Sequence, residues 1–110
     1  MLHKIKKSAE FLQKETNYNP EAGIILGTGL GGLVNEIEIE HSISYEDIPN
    51  FPLSTVEGHS GRLIFGKLGE KQVVAMQGRF HFYEGYNMGK VTFPVRVMKL
   101  LGIKNLIVSN

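Results

Sequence analysis

The sequence predicts an α/β fold on three observations. Its opening stretch spaces apolar residues at helical intervals, its interior carries short apolar runs bounded by glycine, and a long apolar helical stretch near the end leads into one more such run. The 110 residues, 42% of them hydrophobic, suffice for one small domain with a core. The 13 glycines cluster between Gly23 and Gly32, Gly58 and Gly66, and Gly78 and Gly89, which marks shaped loops rather than low complexity.

From Leu2 to about Glu15, Ile5, Ala9 and Leu12 share one face while Lys6, Lys7, Glu10 and Lys14 fall largely on others, as in an amphipathic helix. Asn17 to Pro20 ends it. Ala22 to Leu26 is too short for a helix and reads as a buried strand feeding the glycine turn Gly27 to Gly32. Only Leu30 to Asn35 has room for a helix after that turn. Ile37, Ile39, His41 and Ile43 then alternate with Glu36, Glu38 and Glu40, a strand pattern with one polar face. Ser44 to Ser54, with Pro49 and Pro52, reads as an irregular connection.

Leu63 to Leu68 and Gln72 to Gln77 read as two strands joined by a tight turn at Gly69-Glu70. Asn87 to Leu101 reads as a helix buried nearly all round, with Val91, Val95, Met98 and Leu101 on one stripe and Phe93, Val97 and Leu100 widening it. Pro94 sets its regular part near that residue, since proline is harmless only in a first turn. Gly102 closes the helix, and Lys104 to Ser109 is expected to be a buried core strand.

Three segments carry chemistry. In Gln77 to Tyr86, Arg79 offers a planar fork of donors suited to phosphate or carboxylate, and His81 falls on the same side of an extended segment. Glu84 suits the orientation of an imidazole, and Tyr83 offers a ring face and a hydroxyl. Half of an anion clamp and a loop with a surface arginine and a packed histidine both fit this segment alone. In the glycine turn, backbone N–H groups can approach a ligand and Thr28 adds a hydroxyl. His59 sits between Gly58 and Ser60-Gly61 just before a strand, a place for a site residue or for an exposed loop histidine.

Gly27, Gly29 and Gly32 also satisfy a dinucleotide fingerprint after a strand, with Glu46 and Asp47 roughly placed for a ribose contact. The missing long helix speaks against it. A net charge of +1, with no basic block beyond Lys4, Lys6 and Lys7, gives no nucleic-acid surface. With no cysteine there is no disulfide framework or thiolate chemistry. The four histidines, His3, His41, His59 and His81, lack zinc-ligand spacing, so no metal is expected. The basic, amphipathic start is unlike a signal peptide, and no stretch approaches a membrane span, which makes a cytoplasmic protein the expectation.

Four segments in order, GIILGTGLGGL, VEGHSGRLIFG, MQGRFHFYEGY and KVTFPVRVMKLLGIKNLIVSN, resemble the amino-terminal part of the trimeric, inosine- and guanosine-cleaving purine nucleoside phosphorylases. The resemblance covers Gly23 to Asn110, and GRFHFYEGY is its specific motif. Methylthioadenosine phosphorylases share the fold and the glycine turn and rank second. The resemblance implies a nucleoside phosphorylase-like fold, a mixed β-sheet flanked by helices, of which residues 1–110 are the amino-terminal part of a single domain cut after a core strand. It implies phosphate contacts from Thr28, His59, Arg79, His81 and Asn110, orientation of His81 by Glu84, and a ribose contact from Tyr83. Position 28 is often serine in relatives, and threonine keeps the hydroxyl.

It further implies a homotrimer with sites near subunit borders, inorganic phosphate as co-substrate, and neither cofactor, nucleic acid nor membrane as partner. The family's purine-recognising glutamate and asparagine belong to a carboxy-terminal half that no segment here matches. A truncated chain, a fragment or a partial record is therefore expected, without useful turnover alone. Two other classes stand beside this one: a non-catalytic half-domain that binds phosphate or self-associates, and a dinucleotide-binding oxidoreductase built on the glycine turn.

Overall fold

The computed structural model describes residues 2–26, 31–51, 61–78 and 88–108. Helix α1 (Leu2–Thr16) buries Ile5, Ala9 and Leu12, the face its spacing predicts, and also Ser8 and Thr16. Buried hydroxyls need partners: Ser8 donates to the Pro49 carbonyl, and Thr16 Oγ1 donates to the Leu12 carbonyl at 2.8 Å. Asn17, with φ of 51°, turns the chain out of the helix.

Strand β1 (Ala22–Ile25), the four-residue helix α2 (Gly31–Val34) and strand β2 (Glu38–Ser44) follow. A 3-10 turn (Tyr45–Asp47) comes next, where an irregular connection is expected; the Ser44 side chain accepts from the Glu46 N–H and caps it. Strands β3 (Arg62–Leu68) and β4 (Lys71–Gln77) form the predicted hairpin. Its two-residue turn needs the positive φ of Gly69, 67°. Helix α3 (Met88–Leu101) and strand β5 (Asn105–Val108) complete the described chain.

The five strands form one mixed sheet in the order β2-β3-β4-β1-β5. β2, β3 and β4 are antiparallel neighbours, whereas β4, β1 and β5 run parallel. β3 and β4 lie inside the sheet, and alternate residues feed two cores. Leu63, Phe65, Val74 and Met76 join α1 and α3 on one face; Ile64, Val73 and Ala75 join Ile24, Leu26, Val34 and Ile37 on the other.

Three expectations are corrected. β5 is exposed along its length, with Leu106 41%, Ile107 48% and Val108 64% accessible. An apolar run marks a strand built to be covered, but among the described residues β5 is the last strand of the sheet and contributes to neither core. Helix α3 begins at Met88, so Pro94 lies inside it rather than near its start. The proline ring is fully buried, and that packing compensates for the hydrogen bond it cannot donate. Nor is α3 buried all round: Leu100 is exposed, and Arg96 and Lys99 face solvent.

In β2, Ile39 faces solvent although it belongs to the alternating set. The register with β3 slips between Ile39 and His41, leaving Glu40 as an extra residue that breaks the period of two. The dinucleotide reading fails on topology. α2 is too short to cross over the sheet, and Glu46 and Asp47 follow β2, which β3 and β4 separate from β1.

The uncovered β5 sets an expectation for the isolated 110-residue chain. It should sediment as species larger than its 12.3 kDa monomer, and replacing Ile107 with Lys should shift the population toward monomer. A clean monomer at tens of micromolar in sedimentation velocity runs would contradict this.

Candidate functional site

The pairing registers bring four chain ends together. Ile25 of β1 pairs with Met76 of β4 and with Val108 of β5, so the three parallel strands finish level with one another. Just past β1, the Leu26 N–H donates to the Met76 carbonyl at 3.1 Å. β3 runs the opposite way, and its first residue, Arg62, pairs with the last of β4, Gln77. One end of the sheet therefore receives the exits of β1, β4 and β5 and the entry of β3. Loops at the carboxyl ends of parallel strands are the usual place for ligands in α/β sheets.

Each of these ends carries one of the motifs. The glycine turn with Thr28 leaves β1, His59 precedes β3, the segment with Arg79, His81, Tyr83 and Glu84 leaves β4, and Asn110 follows β5. Those seven residues lie outside the described residues, as do Gly27 and Gly29. What the fold supplies is the position of their attachment points.

Around the roots of the His59 and Arg79 segments the described structure is built in detail. Arg62 Nε donates to Gln77 Oε1 at 2.7 Å, and its Nη1 donates to Ser42 Oγ at 2.9 Å. The guanidinium thus joins β3 to the end of β4 and to β2. Beside it, the Tyr45 N–H donates to the Gly61 carbonyl at 3.1 Å. A Cβ at position 61 would lie 2.1 Å from Tyr45 Cε2 and 2.8 Å from the Gly78 carbonyl oxygen, so only glycine fits between the ring and β4's exit.

Tyr45 itself is buried, packed against Phe51 with ring centroids 5.2 Å apart. Burial pushes its phenol well above the ordinary tyrosine range, so it stays neutral. Ser42, Asp47, Gly61, Arg62, Gln77 and Gly78 are among the residues that line an open depression of about 430 Å³.

Arg62, Gln77 and Tyr45 carry no role in the sequence reading. The signal for the first two is there: a two-residue turn at Gly69-Glu70 sets the hairpin register and brings position 62 opposite 77. Tyr45 has no comparable signal, because its burial depends on Gly61 and Phe51, contacts made in space. Among the described residues no group of three or more His, Asp or Glu side chains is placed to hold a metal ion, and no helix is long and apolar enough to cross a membrane.

Comparison with known proteins bears on the whole of this arrangement. Residues 21–110 match the family model described as the phosphorylase superfamily. The chain is 58% identical over 106 residues to purine nucleoside phosphorylase 1 of Geobacillus stearothermophilus, covering 96% of this chain and 39% of that protein. It is 57% identical over 110 residues to purine nucleoside phosphorylase 1 of Bacillus subtilis, covering 100% of this chain and 41% of that protein. Among solved structures, the purine nucleoside phosphorylase of Schistosoma mansoni in complex with inosine superposes with a TM-score of 0.90 at 53% identity, over 98% of this chain and 38% of that one. The chain spans about 40% of the length of the relatives it matches, in their amino-terminal part. With its mixed sheet, its level strand ends and a family match over most of its length, the chain belongs to the phosphorylase superfamily.

Proposed function

We propose that the whole protein is a purine nucleoside phosphorylase of the trimeric, inosine- and guanosine-cleaving type, and that this chain carries the phosphate and ribose half of its site. One observation carries the reading. β1, β3, β4 and β5 meet at one end of the sheet, and each has a motif segment attached there.

In this reading Thr28, His59, Arg79, His81 and Asn110 hold phosphate, Glu84 orients His81, and Tyr83 contacts ribose. The reaction breaks the bond between ribose C1′ and the purine nitrogen and forms one between C1′ and a phosphate oxygen. The electron pair leaves with the base. An oxocarbenium-like ribose develops positive charge, so a fixed phosphate dianion both stabilises it and supplies the nucleophile. Arginine and histidine donors suit that dianion through charge-assisted hydrogen bonds. The base needs its own donor or acid, supplied from the part of the protein outside this chain.

Inorganic phosphate is the co-substrate; no metal or organic cofactor is needed by this chemistry. A homotrimer, a cytoplasmic location and a role in purine salvage belong to the same proposal, with residues 1–110 as the amino-terminal part of one domain. The inosine complex of the Schistosoma mansoni relative supports the substrate class.

The test is phosphate dependence. The whole protein should release hypoxanthine from inosine only when phosphate is supplied, with ribose 1-phosphate formed in equal amount. Release that is equally fast without phosphate would identify a hydrolase and end this reading. The 110-residue chain alone is expected to show no turnover in the same assay.

A further inference from the structure

We infer that Arg62 is a positioning residue: with Gln77 and Ser42 it staples the roots of the two loops that carry His59 and the Arg79-His81 pair, and so sets the affinity for phosphate. This rests on the phosphorylase reading above and adds a residue to it that touches no substrate.

The geometry is specific. Arg62 is the first residue of β3, three positions after His59, and Gln77 is the last of β4, two positions before Arg79. Their backbones are paired, and their side chains are joined by the 2.7 Å bond from Nε to Oε1. The same guanidinium reaches back to Ser42 Oγ at 2.9 Å, which fixes its plane with a second donor. Gly61 continues the staple on the other side. Its carbonyl is held by the Tyr45 N–H, and the absence of a side chain lets it approach the Gly78 carbonyl.

An arginine used only for surface charge has no need of this. Arg62 is half-buried, and its side-chain partners among the described residues are a neutral amide and a hydroxyl, groups that fix orientation without neutralising charge. Both hydrogen bonds act on the strand ends from which anion-binding side chains depart. Clamp residues about 1 Å out of place lose binding steeply, so rigid roots have a functional consequence beyond fold stability.

The experiment uses the whole protein, with Arg62→Ala, Arg62→Lys, Gln77→Met and the Arg62→Ala/Gln77→Met double variant, each confirmed folded by circular dichroism. Initial rates are measured with phosphate varied at saturating inosine and with inosine varied at saturating phosphate. Gln77→Met, which loses one hydrogen bond to the guanidinium, should raise the phosphate KM roughly tenfold, and Arg62→Ala, which loses that bond and the one to Ser42, at least as much, while the inosine KM stays within about twofold. Because the two residues act as a unit, the double variant should match the larger single effect rather than the product. Arg62→Lys, which keeps the charge but not the fork, should recover part of the loss.

Unchanged kinetics, equal rises in both KM values, or a double variant at the product of the singles would each overturn the staple while leaving the phosphorylase reading intact. Should Arg62→Ala fail to fold, Gln77→Met alone decides by the same split of KM values. Wild-type turnover that ignores phosphate would instead overturn the parent reading and this inference with it.

Discussion

Replacing Arg79 with alanine in the whole protein should raise the phosphate requirement roughly 100-fold and leave the nucleoside requirement within about threefold. Arg79 follows Gly78, directly past the end of β4, where the chain meets the exits of β1 and β5. A guanidinium offers two parallel donors to a phosphate, and losing a bidentate charged contact costs more than losing one neutral hydrogen bond. Arg79→Lys keeps the charge without the fork and should fall between, at roughly tenfold. Steady-state rates with each substrate varied in turn make the distinction. A variant whose nucleoside KM rises while its phosphate KM holds would remove Arg79 from the clamp and move it to the other substrate.

Phe65→Ala should be among the most destabilising single changes in the chain, about 3–5 kcal/mol. Phe65 is fully buried at the centre of β3, and its ring meets Tyr18 edge-on with centroids 5.9 Å apart. Tyr18 in turn is held by its hydroxyl to Glu40 of β2 and by an edge contact with His41. Removing the phenyl ring therefore opens a cavity between the sheet and α1 and also loosens the residue that ties the end of α1 to β2. Set against a typical total of about 5–15 kcal/mol, this is a large share of the fold's stability. Urea unfolding of the whole protein reads it as a shift of midpoint. Ile39→Ala, at an apolar strand position that faces solvent, should change stability by less than about 1 kcal/mol. Similar losses for the two would mean that burial in the sheet is not what distinguishes them.

Phe65 and Ile107 show how far the sequence reaches. Both stand in short apolar runs that read as strands, the second as a buried one, and both are indeed in strands. Periodicity reports what a segment needs to have covered. It does not report whether a neighbour covers it, and that is decided by strand order: β3 lies inside the sheet and β5 at its edge among the described residues. Ile39 and Pro94 miss for local reasons. One extra residue at Glu40 shifts the period, and a proline is accepted within α3 because its ring is buried.

For the site, residue types and their order along the chain were legible before any fold was known. Arginine, histidine and tyrosine between glycines, a glycine turn after a strand and a histidine before another are the residue types that the proposed chemistry calls for, because anions demand donors and close backbone approach demands glycine. The β3–β4 register was legible too, since a two-residue turn leaves no freedom in it. That β1, β4 and β5 run parallel and finish level was not. Those pairings join segments far apart in the chain, and no local preference encodes them; they arise when the two faces of one sheet bury their apolar residues together. Only that packing brings the attachment points of the four motifs to one end of the sheet, where Arg62 joins the start of β3 to the end of β4.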